Sequence, residues 1–162
     1  MVLTLPELIA ELHNEVRILL HLCSKIEPSM LDYRPTPKQR TTLELLRYLS
    51  IMGPQILTGV RTGNFSGESW GAAVAEAEKK DFAAVVSSLE SLNETYSGLA
   101  SWSDEELRAE LDMFGFKAAK GRQIVHWIVS GHAAYRTQLF CYLKSCGREE
   151  LNTMNLWGGI DG

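Results

Sequence analysis

Hydrophobic residues recur at three- and four-residue steps near the start of the chain, which predicts an amphipathic α-helix. Thr4 and Glu7 have the spacing of a capping box and Pro6 falls in the first turn, so we expect the helix to begin there. Pro28 is expected to end it. The apolar stripe consists of Leu5, Leu8, Ile9, Leu12, Val16, Leu19, Leu20 and Cys23.

A second amphipathic pattern follows a connection that we expect to be extended. Residues 29–40 contain two prolines, which disfavour helix at the residues before them. Thr41 and Glu44 then repeat the capping-box spacing, and Gly53–Pro54 is expected to bend the new helix without ending it. Its apolar positions are Leu45, Tyr48, Leu49, Met52 and Ile56.

The middle of the chain predicts shorter elements around a third long helix. A brief helical piece is expected over residues 70–78, and Asp81 can cap the third helix. A capping box at Ser103–Glu106 predicts one more turn of helix, and the alternating pattern over residues 111–116 predicts a small extended excursion. The apolar positions of the third helix are Phe82, Val85, Val86, Leu89, Leu92, Tyr96 and Leu99.

The clearest helical pattern comes last, and Gly147 is expected to end it. Its stripe consists of Val125, Ile128, His132, Tyr135, Leu139, Tyr142 and Cys146. Four long amphipathic helices bury their stripes most simply against one another. The connections of roughly fifteen to twenty residues can cross a helix length, so parallel neighbours are allowed. We therefore predict a single all-α domain, residues 1–162: a four-helix bundle with long crossover connections and short additional helical or extended pieces.

The composition fits such a domain. The 162 residues are 45% hydrophobic and 22% charged, as in globular proteins that bury a core without disulfides or structural metals. The net charge is -4 and the basic residues are scattered, so no nucleic-acid partner is expected. The three cysteines form no CxxC pair, no stretch suits a membrane span, and the start does not read as a signal peptide. We expect a cytoplasmic protein with reduced thiols and no membrane partner.

His132 is the chemical anomaly of the last helix, because it lies within the apolar stripe between Ile128 and Leu139. A neutral imidazole in that position needs hydrogen-bond partners, for which Tyr135, Tyr48 or a backbone carbonyl are candidates. Metal ligation is the alternative.

Arg136 follows four residues after His132 and lies on the same side of the helix. Its charge would not stay buried without a carboxylate, a bound anion or water. The two side chains therefore predict a polar pocket between helices. His126 is about 240° away from His132 around the helix, so these two imidazoles cannot bind one ion within a chain.

Two stretches are similar to motifs of a known family. DYRP at residues 32–35, followed by TTLELLRYL at residues 41–49, is similar to an arginine-proline loop that leads into a capped second helix with a histidine before a leucine. HAAYR at residues 132–136 is similar to an HxxYH segment on the last long helix. The chain resembles, over nearly its whole length, the DinB-like superfamily of four-helix-bundle proteins. The resemblance implies this fold and a homodimer.

In the members that bind a divalent metal, the ligand positions correspond here to Tyr48, His132 and Arg136. A phenol keeps its proton near pH 7 and a guanidinium offers no lone pair, so we expect a degenerate metal site with no cofactor. A shift of one residue would place the last pair at Gly131 and Tyr135, without a histidine. We predict that Tyr48, His132, Tyr135 and Arg136 line a pocket in which a small anionic molecule, such as a carboxylate, takes the place of the cation.

Three functions stay open at this point. The first is a metal-free protein that binds a small molecule in this pocket. The second is an enzyme resembling the superfamily's zinc- or nickel-dependent hydrolases or thiol S-transferases, with His132 and either Tyr48 or Tyr135 as proton carriers. The third is a non-catalytic homodimer, to which Trp127 could contribute unless it packs under residues 151–162.

Overall fold

A computed structural model describes residues 3–162 of the chain. Helix α1 spans Leu5–Cys23, and the predicted capping box is present at its start. The Glu7 carboxylate accepts from the Thr4 backbone amide at 2.7 Å, while the Thr4 hydroxyl accepts from the Glu7 amide at 3.4 Å. The pair thus satisfies amides that the first helical turn leaves without carbonyl partners.

Helix α2 spans Thr42–Thr62 and begins with the second predicted capping box. The Thr41 amide donates to the Glu44 carboxylate at 2.7 Å, and the Glu44 amide donates to the Thr41 hydroxyl at 3.1 Å. Pro54 lies inside this helix, which continues past it as predicted. The helix ends at Gly63, whose φ of 81° is the left-handed conformation that glycine adopts without strain.

The third long helix of the prediction is divided into two pieces. After α3 (Gly67–Glu78), α4 spans Phe82–Glu90 and α5 spans Leu92–Ser97. Asp81 caps α4 through its carboxylate, which accepts from the Ala84 amide at 2.9 Å. A 3-10 turn and the short helix α6 (Asp104–Arg108) follow, the latter with the predicted capping box.

The expected extended excursion is a β-hairpin. Strands β1 (Glu110–Met113) and β2 (Phe116–Ala119) pair in antiparallel register, with Met113 opposite Phe116. Phe114 and Gly115 form the turn, with φ of 57° and 77°. The Trp127 ring lies against the hairpin, 5.3 Å from the Phe114 ring, and its indole donates to Gln123. Packing under residues 151–162 was one of the two alternatives that the sequence left open for Trp127, and the contacts with the hairpin differ from it.

The last long helix begins before its predicted first residue. It consists of α7 (Lys120–Ile124), a π-helical segment (Val125–Val129) and α8 (Ser130–Ser145). Gly147, with φ of 97°, follows its end. A second π-helical turn, Met154–Gly158, forms the C-terminal segment, residues 151–162, which packs on α1 and α8.

The long helices bury their apolar stripes in one common core, as the all-α bundle prediction requires. Four helices contribute residues with no exposed surface: Leu12 and Val16 of α1, Leu45 of α2, Leu89 of α4 and Leu139 of α8. The three cysteines are free thiols. Among residues 3–162, no helix combines the length and apolarity that crossing a bilayer requires.

Candidate functional site

The residues predicted to share one pocket lie in two different settings. His132 and Arg136 are buried inside the bundle, 1% and 5% exposed. Tyr48 and Tyr135 are half-buried in an aromatic cluster beside α3, with ring centroids 4.8 Å apart. The first setting is a buried polar one, and the second is aromatic and partly open to solvent.

His132 pairs with a phenol, and the phenol is that of Tyr96 on α5. The imidazole Nε2 lies 2.6 Å from the Tyr96 hydroxyl, while Nδ1 has no hydrogen-bond partner among the described residues. Burial, reinforced by the charge of Arg136, lowers the pKa of His132 to about 4. The ring is therefore neutral at pH 7, and one of its polar atoms is desolvated without compensation. Sequence reasoning placed Tyr96 on a core stripe but did not pair it with His132.

Gly53 of α2 makes room for this hydroxyl. A Cβ atom at residue 53 would lie 1.8 Å from the Tyr96 hydroxyl oxygen and 2.9 Å from the ring carbon that carries it. Only glycine leaves that space free, so the Tyr96–His132 hydrogen bond depends on the backbone of a third helix. The sequence indicated Gly53 only as part of a bend.

Arg136 is neutralised by Glu15, a buried carboxylate of α1. The Arg136 Nε donates to Glu15 Oε2 at 2.7 Å and Nη2 donates to Oε1 at 3.1 Å, so the pair is bidentate. The remaining Nη1 donates to the carbonyl of Leu156 in the C-terminal segment. Of the three compensations that the sequence left open for this charge, the structure therefore has the carboxylate.

A signal for Glu15 is present in the sequence. It lies three residues after Leu12 and four before Leu19, which places it on the apolar stripe of α1. A charge on the core stripe of one helix and another on that of the last helix are candidates for a buried pair.

The C-terminal segment closes over this ion pair by polar contacts. Besides the bond from Arg136 to Leu156, Arg17 donates to the Gly159 carbonyl at 3.3 Å. Lys25 and Asp161 form an ion pair at 2.6 Å. A Cβ at Gly159 would lie 3.1 Å from Ile18, so the segment lies directly on α1.

Tyr48 lines a cavity of about 240 Å³ between α2 and α3, which we call the Tyr48 pocket. Burial, together with a hydrogen bond to Tyr135, raises the pKa of the Tyr48 phenol, which is therefore protonated at pH 7. The Trp70 ring lies 5.8 Å from that of Tyr48, edge to face. The lining residues are Arg40, Glu44, Arg47, Tyr48, Ile51, Trp70, Val74, Ala77 and Glu78, and they do not include His132 or Arg136.

The charges of the Tyr48 pocket are unevenly compensated. The Arg40 guanidinium lies 4.1 Å from the centre of the Tyr48 ring, and among residues 3–162 it has no carboxylate partner. Arg47 donates to the carbonyl of Lys80 at 2.9 Å, which leaves its charge without an anion. Glu44 contacts Arg34 at 3.4 Å. The pocket thus presents two guanidinium groups beside aromatic rings, with the Glu78 carboxylate also in its lining. The arginine side suits an anion with a flat or apolar body.

The residues that would hold the divalent metal implied by the family resemblance do not fit it. The His132 Nε2 is engaged by Tyr96, Arg136 is engaged by Glu15, and the Tyr48 phenol keeps its proton. Within residues 3–162, no three His, Cys, Asp or Glu side chains are placed to hold one ion. Histidine, cysteine and carboxylate side chains are the usual protein ligands of zinc and nickel.

The residue that faces Tyr48 from α8 is Tyr135, one position before Arg136. Gly131, four residues earlier, would bring a Cβ to 3.1 Å from the Met52 side chain of α2. The face of α8 towards α2 is therefore the one-residue-shifted pair, Gly131 and Tyr135, neither of which is a histidine.

No protein-family model matches the sequence, and no curated protein matches it. Solved structures do match its fold. A DinB-like protein from Bacillus subtilis, YjoA, is 18% identical with a TM-score of 0.67, over 90% of this chain and 94% of that one. A DinB-like protein from Bacillus cereus is 15% identical with a TM-score of 0.71, over 91% and 95% of the two chains. The chain has the DinB-like fold, as its sequence resemblance predicted.

Proposed function

We propose that this protein is a metal-free variant on the DinB-like fold that binds a small anionic molecule in the Tyr48 pocket. The observation that carries the proposal is the Arg40 guanidinium, which lies 4.1 Å over the Tyr48 ring and has no carboxylate partner within residues 3–162. A carboxylate of a ligand can accept bidentate hydrogen bonds from such a group.

The size and the walls of the pocket narrow the ligand further. Its volume of about 240 Å³ lies below the range of about 300–1,000 Å³ typical of drug-sized ligands, which favours a small molecule. Trp70, Tyr48 and Ile51 contribute aromatic and aliphatic surface to its lining. A monocarboxylate with a ring or a branched apolar body satisfies both features.

Within this proposal the predicted residues have separate roles. Tyr48 contacts the ligand, and Tyr135 supports it through the edge-to-face contact of the two rings, whose centroids are 4.8 Å apart. His132 and Arg136 act at a distance, because their polar atoms are committed to Tyr96, Glu15 and Leu156. They join α8, which carries Tyr135, to α5, to α1 and to the C-terminal segment.

Calorimetric titration with benzoate and with benzyl alcohol, its uncharged counterpart, tests the proposal. We expect benzoate to bind and Arg40→Gln to weaken it by about tenfold, the value of one charge-assisted hydrogen bond. Arg148→Gln is the matched control, since Arg148 pairs with Glu27 and Glu150 elsewhere on the surface. Equal affinity for both compounds, or unchanged affinity in Arg40→Gln, would contradict the proposal.

We also propose that the homodimer expected from the family resemblance forms through the C-terminal segment. Met154, Trp157 and Ile160 are 45%, 69% and 49% exposed there, and Met154 and Ile160 meet over Gly158. Contiguous exposed apolar groups of this kind favour a protein contact. Light scattering should give the mass of two chains, reduced to one by Trp157→Lys but not by Phe114→Lys, a matched change at another exposed aromatic residue. A monomeric wild-type protein would rule the dimer out.

A further inference from the structure

A second cavity of the described residues lies away from the Tyr48 pocket. It is a groove of about 340 Å³ between the start of α1, α6 and α7, which we call the leucine groove. Leu3, Leu5 and Leu8 line it from α1 and the residues before it, and Leu107 and Val125 line it from the other side. Leu3 and Val125 are 41% and 37% exposed, so apolar surface remains in contact with water.

The charges at the leucine groove favour an anion. Arg108 and Arg122 both line it, with Asp104 as the acidic residue. Asp104 and Arg108 are 3.8 Å apart, whereas Arg122 has no carboxylate partner within residues 3–162. The Arg122 guanidinium lies 5.0 Å from the centre of the Phe116 ring, a cation–π contact that holds it near the groove. The positive charge of Arg122 therefore lies unpaired beside an aliphatic surface.

We propose that the leucine groove binds a free medium-chain fatty acid as its carboxylate. The apolar part of the lining is aliphatic, which suits an unbranched alkyl chain rather than a flat ring. The unpaired charge of Arg122 complements a single carboxylate at one end of that chain. A volume of about 340 Å³ is within the range typical of small-molecule sites. This site is independent of the Tyr48 pocket, with which it shares no lining residue.

A homologous series of probes tests the contribution of the alkyl chain, and an alcohol of equal length tests that of the carboxylate. Calorimetric titration with butyrate, hexanoate and octanoate should show affinity rising by up to about fourfold for each added methylene until the groove is filled, because each buried methylene contributes about 0.8 kcal/mol. Octanol should bind more weakly than octanoate. Arg122→Gln should weaken octanoate by about fivefold or more, and Val125→Ser by about threefold.

Arg40→Gln, in the Tyr48 pocket, serves as the control that separates this inference from the proposed function. If the octanoate affinity falls in Arg122→Gln but not in Arg40→Gln, the result supports the leucine groove. This conclusion does not depend on whether benzoate binds in the Tyr48 pocket. Equal affinity for butyrate and octanoate, equal affinity for octanol and octanoate, or octanoate binding that depends on Arg40 rather than Arg122 would overturn it.

Discussion

Arg136 of the last helix and Glu15 of the first form a bidentate ion pair in which both side chains are almost completely buried, with exposed fractions of 6% and 4%. The pair ties together two helices whose residues 15 and 136 are far apart in the chain, and the third donor of Arg136 reaches the C-terminal segment. Removal of one partner alone leaves a charge buried without compensation, which is much more costly than removal of both.

We therefore expect Arg136→Met to lower the free energy of unfolding by about 3–5 kcal/mol. The double variant Glu15→Leu with Arg136→Met should recover most of that loss, because no unpaired charge remains. Urea unfolding of the two single variants and the double variant measures the difference as a cycle. If the double variant is as unstable as Arg136→Met, the unpaired charge of Glu15 is not the cause of the lost stability.

Gly53→Ala should be destabilising although alanine is the better helix former. The new methyl group would overlap the Tyr96 hydroxyl, and overpacking of a core typically costs about 1–3 kcal/mol. Gly71→Ala in α3 is the matched control, since its Cβ meets nothing within 4 Å and should stabilise by up to about 1 kcal/mol. Thermal unfolding of both variants measures this contrast. We expect Tm to fall for Gly53→Ala and to rise for Gly71→Ala. Equal shifts of Tm in the two variants would contradict the predicted overlap with Tyr96.

His132 should make stability depend on pH between about 6.5 and 4. The ring must stay neutral in the folded protein, where burial lowers its pKa to about 4, whereas the unfolded chain binds a proton near pH 6.5. The unfolded state then holds more protons over this interval, so the stabilising contribution is complete above pH 6.5 and is lost as the pH falls. We expect a loss of about 2 kcal/mol from this residue between pH 7 and pH 5.

The measurement is urea unfolding at several pH values for the wild type and His132→Gln. The carboxylates titrate in both proteins, so the difference between the two curves isolates the imidazole. Curves that stay parallel from pH 7 to pH 5 would mean that His132 accepts a proton in the folded protein.

Gly115→Ala should destabilise the hairpin through the backbone alone. Gly115 has φ of 77° and open space around its Cβ position, so the substitution creates no collision. An L-residue with a side chain pays about 1–2 kcal/mol in the left-handed region. Gly98→Ala, where φ is -59° and the space is also open, should be neutral or slightly stabilising by denaturant unfolding. A neutral Gly115→Ala would indicate that the turn rearranges.

The sequence predicted the helices well because their signals are local. The capping boxes at Thr4, Thr41 and Ser103 each involve residues three apart, and the apolar stripes repeat within one element. The division between α4 and α5 was missed because the stripe continues through it.

The site was predicted less completely because its contacts are not local. Neither spacing nor periodicity indicates that Tyr96 reaches His132, or that Gly53 leaves space for that hydroxyl. The rotation of α8 about its own axis decides whether Tyr135 or its neighbour Arg136 faces Tyr48. A single sequence contains no information on that rotation.

The docking of residues 151–162 links the integrity of the C-terminus to the interior of the bundle. A protease that removes the chain beyond residue 152 would take away the carbonyl that Arg136 binds and the partners of Arg17 and Lys25. Water would then reach the Glu15–Arg136 pair, and its solvation would weaken the attraction that joins α1 to α8. Loss of these ten residues would therefore destabilise the core of the bundle as well as remove a surface segment.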